Sequence, residues 1–421
     1  MGEKRRRRRD RRRAIRSVRV NRHIVRILRI TARSILKPLF RVQTENLDVI
    51  NRHNGPMVML GNHSAVIDPF LVGMFINKPI HYVVSDSQFR SRLVAGFLGL
   101  VGSIPKTKAI SDLDTVKKIV EVKRMGEIIG IFPEGQSSWD GHTLPFVKST
   151  EKLVRSLKVP VVVAQLRGAY FTWPRWARKP RRGTVTIHFE RILTPAQIRG
   201  MTVEEVGQAI EEALTFDAYE YQKTASIEYG GARQAEYLER ALHVCPSCRS
   251  VSSLRSQGRT LRCTSCGYEV IYNRRGYFEA KRGPLRFETI RDWNLWQSDA
   301  FIRYLDAKSA ESGPLLVEPQ VLVEVGYKSS PLEELGIARE MRLYRDTVQI
   351  VIDEKGEITF PIDQIDGMNV QNNEHLEFYC FDNLYRFSTV DPRGNTFKWN
   401  NAILHLRNRR SETIVAVPPG T

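Results

Sequence analysis

The chain has 421 residues, of which 42% are hydrophobic and 26% charged, and its formal net charge at pH 7 is +19. This length predicts two or more domains, and the hydrophobic content excludes a mostly disordered chain. The charge predicts an anionic partner: nucleic acid, an anionic membrane or a phosphorylated substrate. No run of about 18 uninterrupted apolar residues is present, so we expect no spanning helix, and we expect no secretory signal because no apolar core follows the basic start.

The first predicted element is a basic amphipathic helix that follows the charge run EKRRRRRDRRR. Its basic residues recur at three- and four-residue steps with aliphatic residues between them, and Pro38 is expected to end or kink it. The stripe consists of Arg16, Arg19, Arg22, Arg26, Arg29, Arg33 and Lys37. This pattern is typical of a helix in a membrane interface, with its arginines at the lipid phosphates. Packing on a protein core and binding to nucleic acid are the alternatives.

Residues 44–220 alternate predicted strands and helices, which indicates an α/β domain with helices on the faces of a sheet. The strand candidates are 57–61, 81–85, 128–132, 160–166 and 184–190. The helical stretches are 69–77, 88–101, 112–125, 150–157 and 202–217. In such sheets, functional residues collect in the loops that follow the strand ends.

The stretch GNHSAVIDPF (61–70) places polar side chains where the first of these strands ends. Apolar residues predict a buried strand that ends at Gly61, while Asp68 and Pro69 predict the N-cap and first turn of a helix. His63 therefore lies in the turn between them, where its imidazole can meet the Asp68 carboxylate. On these residues alone, a capping aspartate beside an incidental surface histidine remains an alternative.

Three further stretches carry charged or polar side chains next to predicted elements. They are GSIPKTK (102–108) with Lys106 and Lys108, IFPEGQSS (131–138) with Glu134 and Gly135, and LPFVKST (144–150) with Lys148. Taken singly, each has a structural explanation: solvated lysines, a turn glycine, or a helix N-cap at Ser149.

The order of these stretches resembles the glycerolipid acyltransferase family, whose type member is lysophosphatidic acid acyltransferase. The resemblance covers about residues 20–215 and rests on NHxxxxD, a basic loop, FPEG and VPVVVAQ, in that order. It implies a mixed sheet flanked by helices, with His63 and Asp68 as the catalytic pair. It also implies that Lys106, Glu134 and Gly135 contact the acceptor, and Lys148 is a further candidate for the acceptor's phosphate.

The third motif departs from the family pattern. The family usually continues Thr-Arg-Ser after the glycine, whereas this chain has Gln136-Ser137-Ser138. Ala65 also stands where a serine is frequent near the histidine, which we regard as minor. The missing arginine removes a bidentate phosphate ligand, so the acceptor head group stays open.

The residue types predict a mechanism without a catalytic cofactor. His63 would take a proton from an acceptor hydroxyl, and Asp68 would fix the histidine tautomer and stabilise the imidazolium. The hydroxyl oxygen would attack an acyl thioester, carried by coenzyme A or by acyl-carrier protein, and the thiolate would leave.

The leading prediction is therefore acyl transfer to a lysophospholipid, 1-acylglycerol-3-phosphate in the first place, on the cytoplasmic face of a membrane. The alternatives are acyl transfer to another lipid hydroxyl and a non-catalytic lipid- or nucleic-acid-binding regulator. The intact pair of His63 and Asp68 argues against the non-catalytic alternative, because no structural need for the histidine is evident.

Four of the five cysteines form two CxxC pairs, CPSC and CTSC, fourteen residues apart. This is a zinc-ribbon spacing, which predicts one structural zinc ion held by Cys245, Cys248, Cys263 and Cys266. Such usage suits a reducing compartment better than a disulfide framework. No cluster of aromatic and basic residues nearby supports nucleic-acid binding by the ribbon.

Residues 281–421 predict a β-rich region that ends in a helix, an order that resembles a pleckstrin-homology or GRAM-like barrel. The strand candidates are 320–327, 341–352, 357–362, 376–381 and 384–389, and the last helix is 395–407. The predicted organisation is a basic tail with an interface helix (1–43), an acyltransferase domain (44–240), a zinc ribbon (241–280) and a β-rich domain (281–421).

Overall fold

The structure is a computed structural model of the chain, and it describes residues 18–107, 113–353 and 355–415. The chain divides into two compact units. The first unit holds residues up to 175 together with 181–229, and the second holds 176–180 together with all residues from 230. The observed division therefore precedes the predicted boundary at 240/241, and the predicted ribbon and β-rich domain belong to one unit.

The first unit alternates helices and strands, as the sequence predicts. Its elements are α1 (Arg22–Leu39), β1 (Gln43–Glu45), α2 (Asp48–Asn51), β2 (Met57–Gly61), α3 (Asp68–Gly73), β3 (Ile80–Ser85), α4 (Arg92–Leu100), β4 (Ile104–Lys106), α5 (Leu113–Met125), β5 (Ile128–Ile131), α6 (Ser149–Leu157), β6 (Val161–Arg167), α7 (Ala169–Thr172), β7 (Thr186–Leu193), α8 (Pro195–Gly200), α9 (Val203–Leu214) and α10 (Ala218–Ala225).

These strands form one mixed sheet in the order β1-β7-β6-β2-β5-β3-β4. Strands β6, β2, β5, β3 and β4 run parallel, whereas β7 is antiparallel to β6. Alternate residues of the fully buried strand β2 enter different cores: Val58 and Leu60 pack with α5, α6 and α9, and Met57 and Met59 pack with α2 and α3. The predicted mixed sheet flanked by helices is confirmed, and the carboxyl ends of five parallel strands share one edge.

Several boundaries differ from the predictions. Two edge strands, β1 and β4, were not predicted because three residues are too short for an alternating pattern to show. Lys106 therefore ends strand β4 instead of lying in a loop. The predicted helix 88–101 is a 3-10 turn at Asp86–Phe89 followed by α4, because Ser91 between them is extended.

Helix α1 packs on the protein with some of its side chains and leaves others exposed to solvent. Leu36 and Leu39 pack against the core that contains Met57, and no α1 side chain is fully buried. Ile27, Ile30 and Ile35 remain 57–62% exposed on this helix. Pro38 lies in its last turn, as expected, whereas Arg16 of the predicted stripe lies outside the described residues. In the described part of the chain, no helix is both long enough and apolar enough to cross a bilayer.

The second unit begins with a small antiparallel sheet and continues with a larger one. The elements of the small sheet are β8 (Leu254–Gln257), β9 (Thr260–Cys263), β10 (Glu269–Tyr272) and β11 (Phe278–Arg282). They are followed by α11 (Ile290–Lys308), β12 (Leu316–Gly326), β13 (Glu333–Leu343), β14 (Thr347–Ile352), β15 (Gly356–Pro361), β16 (Asp366–Gln371), β17 (His375–Cys380), β18 (Asn383–Thr389) and α12 (Thr396–Val415).

The larger sheet has seven strands in the order β15-β14-β13-β12-β18-β17-β16, and the C-terminal helix α12 covers its core. The predicted order of strands followed by one helix is confirmed, while the barrel likeness stays a prediction. The predicted strand 341–352 is two strands joined by a turn at residues 344–346 that contains neither glycine nor proline. Helix α11 was not predicted, and its Phe301 packs in one core with Val244 and Trp399. That shared core explains why ribbon and β-rich region form one unit.

Candidate active site

The loop between β2 and α3 holds His63 by main-chain contacts on both sides. The His63 N–H donates to Glu134 Oε1 at 2.7 Å, and the His63 carbonyl accepts from the Ser138 N–H at 3.0 Å. The preceding Asn62 exchanges two hydrogen bonds with the backbone of Leu166 on β6. The loop is therefore attached to β6 and to the segment that follows β5, the two strands that flank β2.

The His63 ring meets the Asp68 carboxylate, as the sequence predicts. Nδ1 lies 2.9 Å from Asp68 Oδ2, and Asp68 is fully buried while the His63 side chain is 19% exposed. Within the described chain, no residue hydrogen-bonds to Nε2 of His63, so this nitrogen is available to a substrate. A carboxylate on Nδ1 with a free Nε2 is the arrangement of a general base.

The Asp68 carboxylate does not cap helix α3, which corrects the predicted N-cap. Helix α3 begins at Asp68 itself, and no side chain caps it. Instead Asp68 Oδ2 accepts hydrogen bonds from the backbone N–H groups of Ser64 and Ala65, at 2.7 and 2.8 Å. The carboxylate is thus turned back into the loop that carries His63, and it fixes both the loop and the ring.

Glu134 holds the same loop from the turn that follows the neighbouring strand β5. Its two carboxylate oxygens accept the N–H groups of His63 and Leu144, and the side chain is 6% exposed. Burial raises the pKa of Glu134 to about 8, against the two backbone hydrogen bonds, which lower it. These carboxylate contacts are with the backbone of His63 and Leu144, and the predicted contact of Glu134 with the acceptor stays a prediction.

A pair of aromatic rings packs next to the His63 ring. The Phe132 ring lies 4.8 Å from the His63 ring and stacks at 5.9 Å with Tyr82. Gly61 permits this approach, because a Cβ there would lie 2.8 Å from Phe132 Cε1. Gly135, in the predicted third motif, has φ +68°, a conformation that favours glycine.

Arg175 is a residue at this site that the motif analysis missed. Its Nη1 donates to Gln136 Oε1 at 3.0 Å and to the Ser137 carbonyl at 2.9 Å, and its guanidinium lies 4.4 Å from the Trp139 ring centre. Burial lowers the pKa of Arg175 to about 9. The motif lacks its usual arginine, yet a guanidinium from elsewhere in the chain binds two of its residues. Its sequence distance from the motif left no local signal.

The two predicted lysines lie at different places near this edge of the sheet. Lys106 ends the edge strand β4, three strands from β2, which is about 14 Å at the usual strand spacing. Lys148 is exposed and directly precedes α6. The turn at Glu134 lies close to it in space, because the Val147 N–H donates to the Pro133 carbonyl at 2.9 Å. Binding of the acceptor phosphate by either lysine stays a prediction.

Comparison with known proteins matches the part of the chain that contains this site to one protein family. The family model described as Acyltransferase matches residues 41–166, which include the His63 loop and the Glu134 turn. Residues 41–166 form a domain of the acyltransferase family. The resemblance predicted from the motifs is thereby confirmed.

Two curated relatives of the acyltransferase domain have the same named activity. The 1-acyl-sn-glycerol-3-phosphate acyltransferase of Saccharomyces cerevisiae is 25% identical over 192 residues, 44% of this chain and 62% of that protein. The chloroplastic 1-acyl-sn-glycerol-3-phosphate acyltransferase of Brassica napus is 23% identical over 144 residues, 34% of this chain and 42% of that protein. The chain thus spans 42% and 62% of the length of these two relatives.

A solved structure is also similar to the acyltransferase domain. It is the 1-acyl-sn-glycerophosphate acyltransferase PlsC of Thermotoga maritima, at 17% identity and a TM-score of 0.41. The match covers 48% of this chain and 80% of that protein.

The four predicted metal ligands come together within the second unit. Their sulfur atoms all lie within 4.8 Å of one another, with Cys245–Cys266 at 3.8 Å and Cys248–Cys263 at 3.7 Å. Four sulfurs about 2.3 Å from one tetrahedral zinc ion would be about 3.8 Å apart, so the cluster fits zinc. It offers four thiolates and no open position, which is typical of a structural site.

Both CxxC pairs have the same backbone turn. Arg249 and Gly267, each four residues after the first cysteine of its pair, have φ values of +61° and +76°. Their N–H groups donate to the carbonyls of Cys245 and Cys263, respectively. This repeated turn brings the two thiols of each pair to the same side.

Proposed function

We propose that this chain is an enzyme that transfers a fatty acyl group from an acyl thioester to the hydroxyl of a lysophospholipid, 1-acylglycerol-3-phosphate in the first place. The observation that carries the proposal is the His63 ring, held at Nδ1 by the buried Asp68 and open at Nε2. The acyltransferase domain and the named activity of its relatives support the same reaction.

The chemistry follows from this geometry. Nε2 of His63 takes the proton of the acceptor hydroxyl as the oxygen attacks the thioester carbonyl carbon. The new C–O bond forms, the C–S bond breaks, and the thiolate leaves with the proton that the imidazolium returns. Asp68 faces the imidazolium and stabilises its charge during the reaction. No acyl-enzyme intermediate is required, because the substrate's own oxygen is the nucleophile.

Acyl transfer to a lipid hydroxyl without a phosphate is a second candidate. This candidate is supported by the third motif, where Gln136 and the Ser137 carbonyl accept hydrogen bonds from the buried Arg175. Arg175 is 4% exposed, so its guanidinium is not available to an acceptor phosphate. Lys106 is then a remaining candidate for binding an acceptor phosphate. An acceptor that has no phosphate would not need Lys106.

We also place the reaction at the surface of an anionic membrane. Val66, between His63 and Asp68, is 67% exposed, and Phe70 on α3 is 43% exposed. Leu93 on α4 is 88% exposed, and α4 meets the start of α1 through a hydrogen bond from the Asn21 N–H to the Leu100 carbonyl. Apolar side chains beside the histidine and the basic stripe of α1 together fit a lipid surface with anionic head groups.

Turnover of acyl thioesters by the purified chain tests the function. The acceptors are 1-acylglycerol-3-phosphate, other lysophospholipids and monoacylglycerol, each with acyl-CoA and with acyl-carrier protein as donor. We expect His63→Ala to lower transfer at least about a hundredfold, as for the loss of a general base. His188→Ala is the matched control, because His188 Nδ1 also lies 2.9 Å from a carboxylate, that of Glu45. Transfer by His63→Ala at the rate of this control would refute the proposal.

A further inference from the structure

The small sheet of the second unit carries a row of charged side chains across all four of its strands. Arg255 on β8 is directly opposite Arg262 on β9. Arg262 is opposite Glu269 on β10, and Glu269 is opposite Arg282 on β11. Side chains that are directly opposite on neighbouring strands lie on the same face of a sheet. At the usual strand spacing, the row is about 14 Å long.

This row lies on the exposed face of the sheet, here called the basic face. Arg255 and Arg262 are exposed, whereas their neighbours along β8 and β9 are buried. Arg282 is exposed as well. The Glu269 carboxylate is paired with Lys281, whose Nζ lies 2.9 Å from Oε1. The basic face therefore carries an excess of positive charge.

Two turns at one end of the sheet add three exposed arginines to the basic face. Arg259 lies in the turn between β8 and β9, and Arg274 and Arg275 lie in the turn between β10 and β11. The Tyr272 N–H donates to the Arg259 carbonyl at 2.7 Å, so the two turns are neighbours. In the described part of the chain, no carboxylate pairs with Arg259, Arg262 or Arg274. These three cations therefore have no counter-ion from the described protein.

The spacing of these cations favours a bound anion. Like charges directly opposite each other destabilise a sheet, as Arg255 and Arg262 do when no anion is bound. Neighbouring strands are closer than the Debye length of about 8 Å at physiological ionic strength, so the potentials of the arginines add. Arginine also binds phosphate through two parallel hydrogen bonds. The basic face is therefore complementary to a surface of phosphate groups.

The shape of the basic face favours a membrane over nucleic acid. The major groove of duplex DNA is about 12 Å wide and admits a two-stranded ribbon, whereas this sheet has four strands. Single strands bind by stacking on aromatic side chains, but Tyr268, Tyr272 and Phe278 are only 1–4% exposed. We propose that the basic face binds the head groups of anionic phospholipids. This inference rests on the proposed function, because a lipid acceptor brings the chain to a membrane.

The proposed contact is electrostatic, which distinguishes it from the contact of α1. In the described part of the chain, the large exposed hydrophobic side chains all lie outside β8–β11. Binding by the basic face should therefore disappear at high salt, whereas the exposed isoleucines of α1 add an apolar contribution that salt does not screen.

Binding of the full-length chain to vesicles tests the basic face. Vesicles of phosphatidylcholine with and without phosphatidylglycerol are sedimented, and the bound fraction is measured over a range of salt. We expect Arg255→Glu/Arg262→Glu to weaken binding to phosphatidylglycerol vesicles at least about tenfold and to reduce its salt dependence. The control Arg303→Glu/Arg339→Glu makes the same charge change at two exposed positions of the second unit and should weaken binding less than about threefold. Equal weakening by both pairs would assign the effect to net charge and overturn the proposal.

A neutral pair of substitutions guards against misfolding, because Arg262 directly precedes Cys263. Arg255→Gln/Arg262→Gln should also weaken binding, by a smaller factor, while zinc content and melting temperature stay those of the wild type. Unchanged binding by this folded variant would refute the basic face. Tighter binding of the wild type to duplex DNA than to phosphatidylglycerol vesicles, lost in the same variant, would assign the face to nucleic acid. His63→Ala should bind vesicles like the wild type, so a failure of the proposed acyl transfer is distinguishable from a failure of this surface.

Discussion

Replacing Asp68 by asparagine separates its proposed catalytic role from its structural one. Asp68 Oδ2 accepts three hydrogen bonds, from the His63 ring and from the backbone N–H groups of Ser64 and Ala65. An asparagine can place its amide oxygen at the same position, because its NH₂ group there would face two N–H donors. The loop therefore keeps its backbone hydrogen bonds, and only the negative charge is lost.

The expected loss of activity follows from that charge. Two unit charges about 4 Å apart, at an effective dielectric constant of about 20, attract each other by about 4 kcal/mol. The His63 imidazolium loses this attraction in Asp68→Asn, and the amide dipole restores part of it. We expect kcat to fall about 100- to 1,000-fold. The free energy of unfolding should change by less than about 2 kcal/mol, since the two backbone donors stay paired.

The assay compares Asp68→Asn with two further variants by steady-state turnover and by chemical denaturation. Asp48→Asn is the matched control, because Asp48 lies in the first turn of α2 and is exposed. Asp68→Leu removes the acceptor of all three donors and should destabilise the fold by about 1–3 kcal/mol for each unpaired donor. Turnover of Asp68→Asn within threefold of the wild type would refute the pair. A large loss of stability with normal turnover of the folded fraction would assign Asp68 to the loop alone.

Four further outcomes are expected. Because burial raises the pKa of Glu134 to about 8, the folded chain retains a proton that the unfolded chain releases above pH 4.5. The free energy of unfolding should thus fall from pH 5 to pH 8, less in Glu134→Gln than in the wild type, by denaturation at each pH. Lys106→Ala should raise the acceptor KM more than it lowers kcat, and an unchanged KM would place the phosphate elsewhere. Cys245→Ser should release one zinc ion, measured by metal analysis, and full retention would exclude the four-cysteine site. The double variant Ile27→Asp/Ile30→Asp should release the chain from anionic vesicles without removing α1, whose Leu36 packs on the core. Salt-independent vesicle binding that is the same for the wild type and the double variant would contradict the interface helix.

Local sequence signals determined the parts of the site that lie close together in the chain. A buried apolar run, a glycine and the Asp-Pro pair sufficed to predict strand, turn and helix around His63 and Asp68. The CxxC spacing likewise determined the cysteine cluster, because four thiols at two tight turns have few ways to meet. The helical period of α1 was also readable from the sequence, since a repeat of 3.6 residues needs no tertiary contact.

Only the tertiary structure decided which groups hold His63 and Asp68 in place. Glu134 reaches the His63 backbone across 71 residues, and Arg175 reaches Ser137 across 38, distances at which a sequence pattern carries no spacing signal. The order of strands brings β5 beside β2, so that Glu134, which follows β5, can hydrogen-bond to the loop that carries His63. Asp68 faces the loop instead of its helix because the Ser64 and Ala65 N–H groups and the His63 ring converge on one oxygen. Propensity favours the capping position, but three hydrogen bonds on a buried carboxylate outweigh one helix cap.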